Sequence, residues 1–283
     1  RNPDGNTVRA TRTPLDLLLI VGETPGRVLQ LDLFFLSFWV WNDTSVRLIA
    51  VDPASSLLRV ESQKDKSALS TLDSFIAVIE WFKTQSRSNP NAVDLEIVRC
   101  DAGPEFTGEF SKYCKEHGIK IERVAPESKS VPLAEVYIYW LCSMARSWYI
   151  ASDLPKAAFG ELLKNAVHVH NYFPSSFGSR LKGRAPMGIM KGKATDLSNF
   201  HIGGEICFVP KTKREMVRGR KEQSRAIKMI HLGPSDDCTT SRFIKHKDRN
   251  SKNPMVYLRS SGIWDSAGIL ENYIPTFKKA LQA

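Results

Sequence analysis

The sequence predicts an α/β protein: a five-stranded mixed sheet flanked by helices, followed by a small β-rich domain. Three observations carry this. Three apolar runs, Arg27–Trp39, Val46–Asp52 and Leu57–Glu61, are joined by short connections such as Pro53-Ala54-Ser55-Ser56, the pattern of an antiparallel meander. Helical and strand-like segments then alternate up to Pro174. Beyond Pro174, Gly, Pro and basic residues dominate up to Lys193, and short β-like segments recur between turn residues, as in a small barrel.

The elements follow in order. Residues 1–26 read as an N-terminal arm, within which Leu17–Val21 makes a short strand or helix turn. The chain starts at Arg1, which reads as a fragment or processed product. After the three strands, Ser67–Thr84 has Leu69, Leu72, Phe75, Ile76, Ile79 and Phe82 at helical spacing, so this face is expected in the core. A polar linker with Asn89-Pro90-Asn91 leads to a buried strand, Leu95–Cys100, ending at Asp101. A turn at Ala102-Gly103-Pro104 precedes a helix from Glu105 to His117. Gly118 lies just past that helix, and Lys115 and His117 sit in its last turn, which is helix-stop chemistry. Ile119–Val124 is the next strand and Val131–Ala151 the helix that contains Glu135. Asp153-Leu154-Pro155 caps a helix, Lys156–Tyr172, that buries Phe159, Leu162, Leu163, Ala166 and Val167. His168 and His170 lie two apart, point to different faces, and read as packing or surface residues. The expected segmentation is an arm at 1–26, a core at 27–174, a basic linker at 175–200, a β-rich domain at 201–262 and a tail at 263–283. Within the β-rich domain the strands are Glu205–Val209, Ala226–Leu232, Ser241–Lys245 and Met255–Arg259.

Charge bounds the partner. The 283 residues carry a net charge of +10. The segment Ser179–Arg259 alone holds 19 Lys and Arg against 7 Asp and Glu, so the rest of the chain is close to neutral. A near-neutral core with a basic extension suits a polyanion, most simply nucleic acid. Five cysteines, at 100, 114, 142, 207 and 238, show no CxxC pair and read as reduced, in an intracellular setting. No apolar run approaches the length of a membrane span.

The chemistry centres on three carboxylates. Asp32 interrupts the apolar run RVLQLDLFFLSFW, Asp101 ends a strand, and Glu135 opens a helix. A charge inside an apolar run costs several kcal/mol unless it is wet, paired or bound to a metal. Strand ends and a helix start can meet at one edge of a sheet.

Here the sequence resembles the integrases of retroelements, closest to the copia type. Arg99-Cys100-Asp101-Ala102-Gly103-Pro104-Glu105-Phe106 is similar to the family's second-carboxylate motif. Phe110, Tyr113-Cys114-Lys115, His117-Gly118-Ile119, Met144-Ala145-Arg146, Leu154-Pro155, Asp196-Leu197-Ser198 and Val209-Pro210-Lys211 follow its pattern over roughly residues 28–235. The resemblance implies a ribonuclease H-like core, which the element order also matches, and an SH3-like C-terminal domain. It implies Asp32, Asp101 and Glu135 as catalytic residues and ligands of Mg²⁺ or Mn²⁺. It implies DNA 3′-end trimming and strand transfer. Lys129, Lys191, Lys193, Lys211, Lys213, Arg214, Arg218, Arg220, Lys221 and Arg225 are the candidate nucleic-acid contacts. The family's upstream zinc module needs His and Cys, and none occurs before Cys100, so no zinc is expected.

Certain positions depart from the family pattern. Asp101 and Glu135 are 34 apart rather than 36, and the loop Pro126–Pro132 has no Gly and contains Glu127. Val136-Tyr137-Ile138-Tyr139-Trp140 replaces a polar, basic run. A second reading therefore stands beside the first: a domesticated, catalytically silent integrase fold serving as a structural or nucleic-acid-binding subunit of a ribonucleoprotein or other large complex. On that reading the Val136–Trp140 face meets a protein partner or a second copy. An active integrase is expected to work on DNA in the nucleus, and a domesticated subunit to bind RNA in an organellar or cytoplasmic complex.

Overall fold

The computed structural model describes residues 24–264 apart from 39, 42–43, 125–132, 153, 175–182, 196–200, 202, 214, 217–223, 236–237 and 261. The arm with Leu17–Val21, the tail beyond Trp264, the loop with Glu127 and Lys129, Asp153, Asp196-Leu197-Ser198, and Arg214, Arg218, Arg220 and Lys221 lie outside the described residues.

The first sheet has five strands: β1 (Val28–Phe35), β2 (Val46–Val51), β3 (Leu58–Gln63), β4 (Ile97–Cys100) and β5 (Lys120–Arg123). Their order is β3-β2-β1-β4-β5. The pairs β1–β2 and β2–β3 are antiparallel; β1–β4 and β4–β5 are parallel. This is the five-stranded mixed sheet of a ribonuclease H-like core. β1 is central, which explains its near-continuous apolar sequence: both of its faces are covered. The hairpin between β2 and β3 is tied by Asp52, whose carboxylate accepts from the amides of Ser55 (2.9 Å) and Gly26 (3.3 Å).

Helices α1 (Ala68–Ser86) and α2 (Glu109–Glu116) cover one face of the sheet, and α3 (Leu133–Ala151) and α4 (Phe159–Tyr172) the other. Ser67 caps α1 by accepting from the Ser70 amide. Phe75, Ile79 and Phe82 are buried as expected, but Leu69 is 61% exposed and Leu72 and Ile76 are only half-covered. Thr71, Ser74 and Val78 are buried instead, so the buried stripe is rotated from the predicted one. On α4, all five predicted core residues are buried.

The helix expected from Glu105 to His117 is broken. Pro104–Phe106 forms one 3₁₀ turn, Gly108 follows at φ +55°, and α2 starts only at Glu109. Pro104 favours a new start, and the positive φ at Gly108 is a conformation that a helix cannot contain. Likewise Lys156–Ala158 is a 3₁₀ turn ahead of α4, with Pro155 preceding it.

The stretch expected as a linker contains a helix, α5 (Pro186–Lys191). Its Met187 and Met190 enter the core beneath α1, and Asn89 donates to the carbonyls of Ile189 (3.1 Å) and Met190 (2.9 Å).

The second sheet contains β6 (Ile206–Pro210), β7 (Ala226–Pro234), β8 (Ser241–Lys245), β9 (Tyr257–Arg259) and β10 (Ile263–Trp264), in the order β10-β6-β7-β8-β9. All neighbours are antiparallel, consistent with an SH3-like domain. β10 extends this sheet past residue 262, the expected start of the tail. Gly233, at φ +117°, sits at the bulge in β7. Ile230, Leu232 and Ile244 pack into the same core as α4, and Arg242 on β8 pairs with the buried Glu161 on α4. The two sheets therefore share α4.

Candidate active site

Two parallel strands and a helix start bring the carboxylates together. Asp32 lies on β1 and Asp101 directly follows β4, the strand alongside. α3 is seated on β1 by a side chain that is unusual in an apolar strand: the Leu133 amide donates to Gln30 Oε1 at 3.0 Å. Gln30 and Asp32 are two apart on one strand and so share a face. Glu135, in the first turn of α3, is thereby carried towards Asp32.

The electrostatics record that proximity. Burial pushes the Asp32 carboxyl up to about 6, against an amide hydrogen bond from Leu33 at 2.7 Å, and the negative charges of Asp101, Glu135 and Glu105 push it further up. Asp32 thus feels the charges of three other carboxylates.

Glu105 is the member that sequence reasoning missed as chemistry. It is only 9% exposed, and its Oε2 has no hydrogen-bond partner among the described residues. A methyl group added to Gly103 would stand 2.8 Å from Glu105 Oε2 and 2.9 Å from Asp101 Oδ1. The two oxygens therefore flank one small space, no further apart than those distances combined. The Gly103 amide also donates to Asp101 Oδ1 at 3.0 Å.

Arg123, at the end of β5, fixes this loop. Its Nη1 donates to the Asp101 carbonyl at 2.8 Å and its Nη2 to the Phe106 carbonyl at 2.6 Å, while Phe106 is buried beneath. One planar guanidinium thus spans both ends of the Asp101–Phe106 turn, which a lysine cannot do.

The donor set suits a hard divalent cation: carboxylate oxygens only, one of them buried and orphaned, beside a glycine whose missing Cβ leaves room between two ligands. Among the described residues, no three Asp, Glu, His or Cys side chains are grouped tightly enough to hold an ion by themselves. Mg²⁺ does not demand such a cage. It is commonly bound by one or two carboxylates, with water and substrate phosphate completing its shell.

No protein-family model matches the chain. The chain is 28% identical over 194 residues to the retrovirus-related Pol polyprotein from transposon TNT 1-94 of Nicotiana tabacum. The similarity to that polyprotein is distant. The match covers 65% of this chain and 14% of the polyprotein. Among solved structures, similarity extends to the HTLV-2 integrase catalytic core domain in complex with magnesium (trimeric form), at 17% identity and TM-score 0.46 over 60% of this chain and 99% of that one. A simian T-cell lymphotropic virus intasome in complex with a PP2A regulatory subunit matches at 14% identity and TM-score 0.47, over 86% and 80%. Strand order and pairing by themselves are those of a ribonuclease H-like fold.

The basic candidates divide into two groups. At the base of the β6–β7 connection, the Lys211 amide donates to the Arg225 carbonyl at 2.8 Å, and Lys213 and Arg225 are exposed. Lys191 and the exposed Lys193 lie at the end of α5. The Lys191 ammonium sits 6.0 Å from the Tyr172 ring centroid, and burial lowers its pKa.

Residues Val136–Trp140 do not form one exposed face, contrary to expectation. Five consecutive residues pass more than once around a helix. Tyr137 is buried against His170, with ring centroids 4.8 Å apart, and Trp140 also meets His170, at 5.3 Å. Ile138 packs on the core, and Tyr139 alone is a large exposed side chain, at 77%. His170 Nε2 donates to the Ser56 carbonyl at 2.8 Å, and His168 stacks on Tyr172. Both histidines are packing residues. No helix among the described residues is long and apolar enough to cross a membrane.

Proposed function

We propose that the chain is a polynucleotidyl transferase of the integrase type, acting on DNA with Mg²⁺ or Mn²⁺ at the site formed by Asp32, Asp101 and Glu135. The observation that supports this is that Asp32 and the strand end at Asp101 lie on adjacent parallel strands beside the helix start that bears Glu135; burial raises Asp32 to about 6, and the neighbouring carboxylates push it the same way. A bound divalent cation supplies charge neutralisation at the scissile phosphate and lowers the pKa of the attacking hydroxyl.

The chain's own residues do the rest. Asp32 and Asp101 orient their oxygens from a rigid sheet. Gln30 sets the angle of α3 and so the reach of Glu135. Lys211, Lys213 and Arg225, beside the β6–β7 connection, contact phosphates and hold the strand. With water as nucleophile the reaction trims a DNA 3′ end; with that 3′ hydroxyl as nucleophile it joins the end to a target strand. No covalent enzyme intermediate is required.

A second reading, a silent integrase fold acting as a structural or RNA-binding subunit, draws support from the exposed Tyr139. It stands one helical turn after Glu135 on α3, where an aromatic ring suits stacking better than phosphate contact. Incubating the protein with blunt-ended duplex DNA and Mn²⁺, beside Asp101→Asn, decides between them. Trimmed or joined products that vanish in the variant support the transferase. Nucleic-acid binding without products in either protein supports the subunit.

A further inference from the structure

We propose that Glu105 is a cation ligand and that Asp101 and Glu105, four residues apart on one clamped loop, form the first divalent-cation site of this protein. This rests on the metal-dependent reading above and goes beyond it by moving a principal ligand from the helix start to the loop.

The first argument is burial without a partner. A carboxylate that is nine-tenths buried and kept for packing should be hydrogen-bonded; left alone, it costs several kcal/mol. Glu105 Oε2 has no such bond among the described residues, and a glutamine or leucine there would avoid the penalty. The second argument is direction. The orphan oxygen and Asp101 Oδ1 lie 2.8 and 2.9 Å from the one point that a Cβ on Gly103 would occupy, so both border the space that glycine leaves open. The third is rigidity. Pro104 begins the 3₁₀ turn, Thr107 Oγ1 donates to the Pro104 carbonyl at 2.5 Å, Phe106 anchors the turn in the core, and Arg123 holds both ends. The positive charge of Arg123 is spent on backbone carbonyls. Among the described residues it forms no ion pair with either carboxylate, so it does not substitute for a cation between them. Two preorganised carboxylates at this separation match what Mg²⁺ or Mn²⁺ takes from a protein before substrate phosphate arrives.

Mn²⁺ binding to the full chain, followed by titration calorimetry and by the loss of the free-ion paramagnetic resonance signal, tests this without any activity measurement. Glu105→Gln and Asp101→Asn should each weaken Mn²⁺ binding at least tenfold. Gly103→Ala should do so too, although it keeps both carboxylates. Glu105→Asp should recover part of the affinity, and Glu109→Gln, at the exposed start of α2, should bind as wild type. If Glu105→Gln is poorly folded, Gly103→Ala and Glu105→Asp decide the question. Affinities within twofold of wild type in Glu105→Gln and Gly103→Ala overturn this inference and leave the transferase reading standing. A wild-type chain that binds neither Mn²⁺ nor Mg²⁺ at millimolar concentration overturns both.

Discussion

Replacing Arg123 tests whether the acidic loop is built by its clamp. Arg123→Met removes two short hydrogen bonds from a charged donor, at 2.8 and 2.6 Å, to the carbonyls of Asp101 and Phe106, and two long ones to Cys100 Sγ and Ser111 Oγ that add little. Bonds of this kind contribute about 1.5–3 kcal/mol each when well sheltered. The Asp101 end is exposed and falls below that range, because water can replace the donor. The Phe106 end is part-buried and falls within it. The expected loss for Arg123→Met is therefore about 2–3 kcal/mol, and for Arg123→Lys, which restores at most one bond, about 1 kcal/mol. Urea unfolding followed by circular dichroism gives the stability, and an unchanged m-value would show that the unfolded state is not the cause. Mn²⁺ affinity in the same variants should fall with the clamp, because the spacing of Asp101 and Glu105 is what the clamp fixes. An Arg123→Met protein within 0.5 kcal/mol of wild type and binding Mn²⁺ normally would refute the reasoning.

Three more outcomes are expected. Burial raises both Asp52 and Asp32 to about 6 from 3.8, so each folded carboxyl holds its proton more tightly than the unfolded one. The cost of ionisation is present in full above about pH 6 and fades as pH falls towards 4. The cation-free protein should thus be more stable at pH 5 than at pH 7.5 by roughly 1–3 kcal/mol, with the partly exposed Asp32 counted at a discount, as denaturant titrations at the two pH values will show. Arg242→Met leaves the buried Glu161 with Lys164, at 3.5 Å, as its ion-pair partner among the described residues, and should cost about 3 kcal/mol in a single unfolding transition, since the second sheet shares α4 with the first. Changing Lys211, Lys213 and Arg225 together to Gln should lower the slope of log affinity against log salt by roughly 2–3, read by fluorescence anisotropy with labelled DNA.

The sheet and its order of elements were legible because β1 and β2 are buried on both sides and read as apolar runs. Asp32 and Asp101 stand out in the sequence because one interrupts and the other ends such a run, and Glu135 because it opens a helix. What stayed hidden depended on contacts distant in sequence. Gln30 looks like one polar residue in a strand until the Leu133 amide, 103 positions later, is found on it. Arg123 looks like one more surface cation. Glu105 was absorbed into a helix that Pro104 and Gly108 in fact break, so its proximity to Asp101 went unseen. Leu69 fits the helical period of α1, yet the sheet leaves that corner uncovered. The short helix α5 has only two methionines to mark it within a Gly- and Lys-rich stretch, and Asn89 supplies the contacts that hold it.

The most direct test of the central claim, that this acidic cluster is a cation-dependent phosphoryl-transfer site, is a crystal of the protein soaked in Mn²⁺ and measured for anomalous scattering at the manganese edge. The account predicts a peak between the Asp101 and Glu105 carboxylates, within coordination distance of both and on the side facing Asp32. Manganese bound by Asp32 and Asp101 but not by Glu105 would overturn the Glu105 site alone; no peak beside Asp32 or Asp101 at millimolar Mn²⁺ would contradict the central claim.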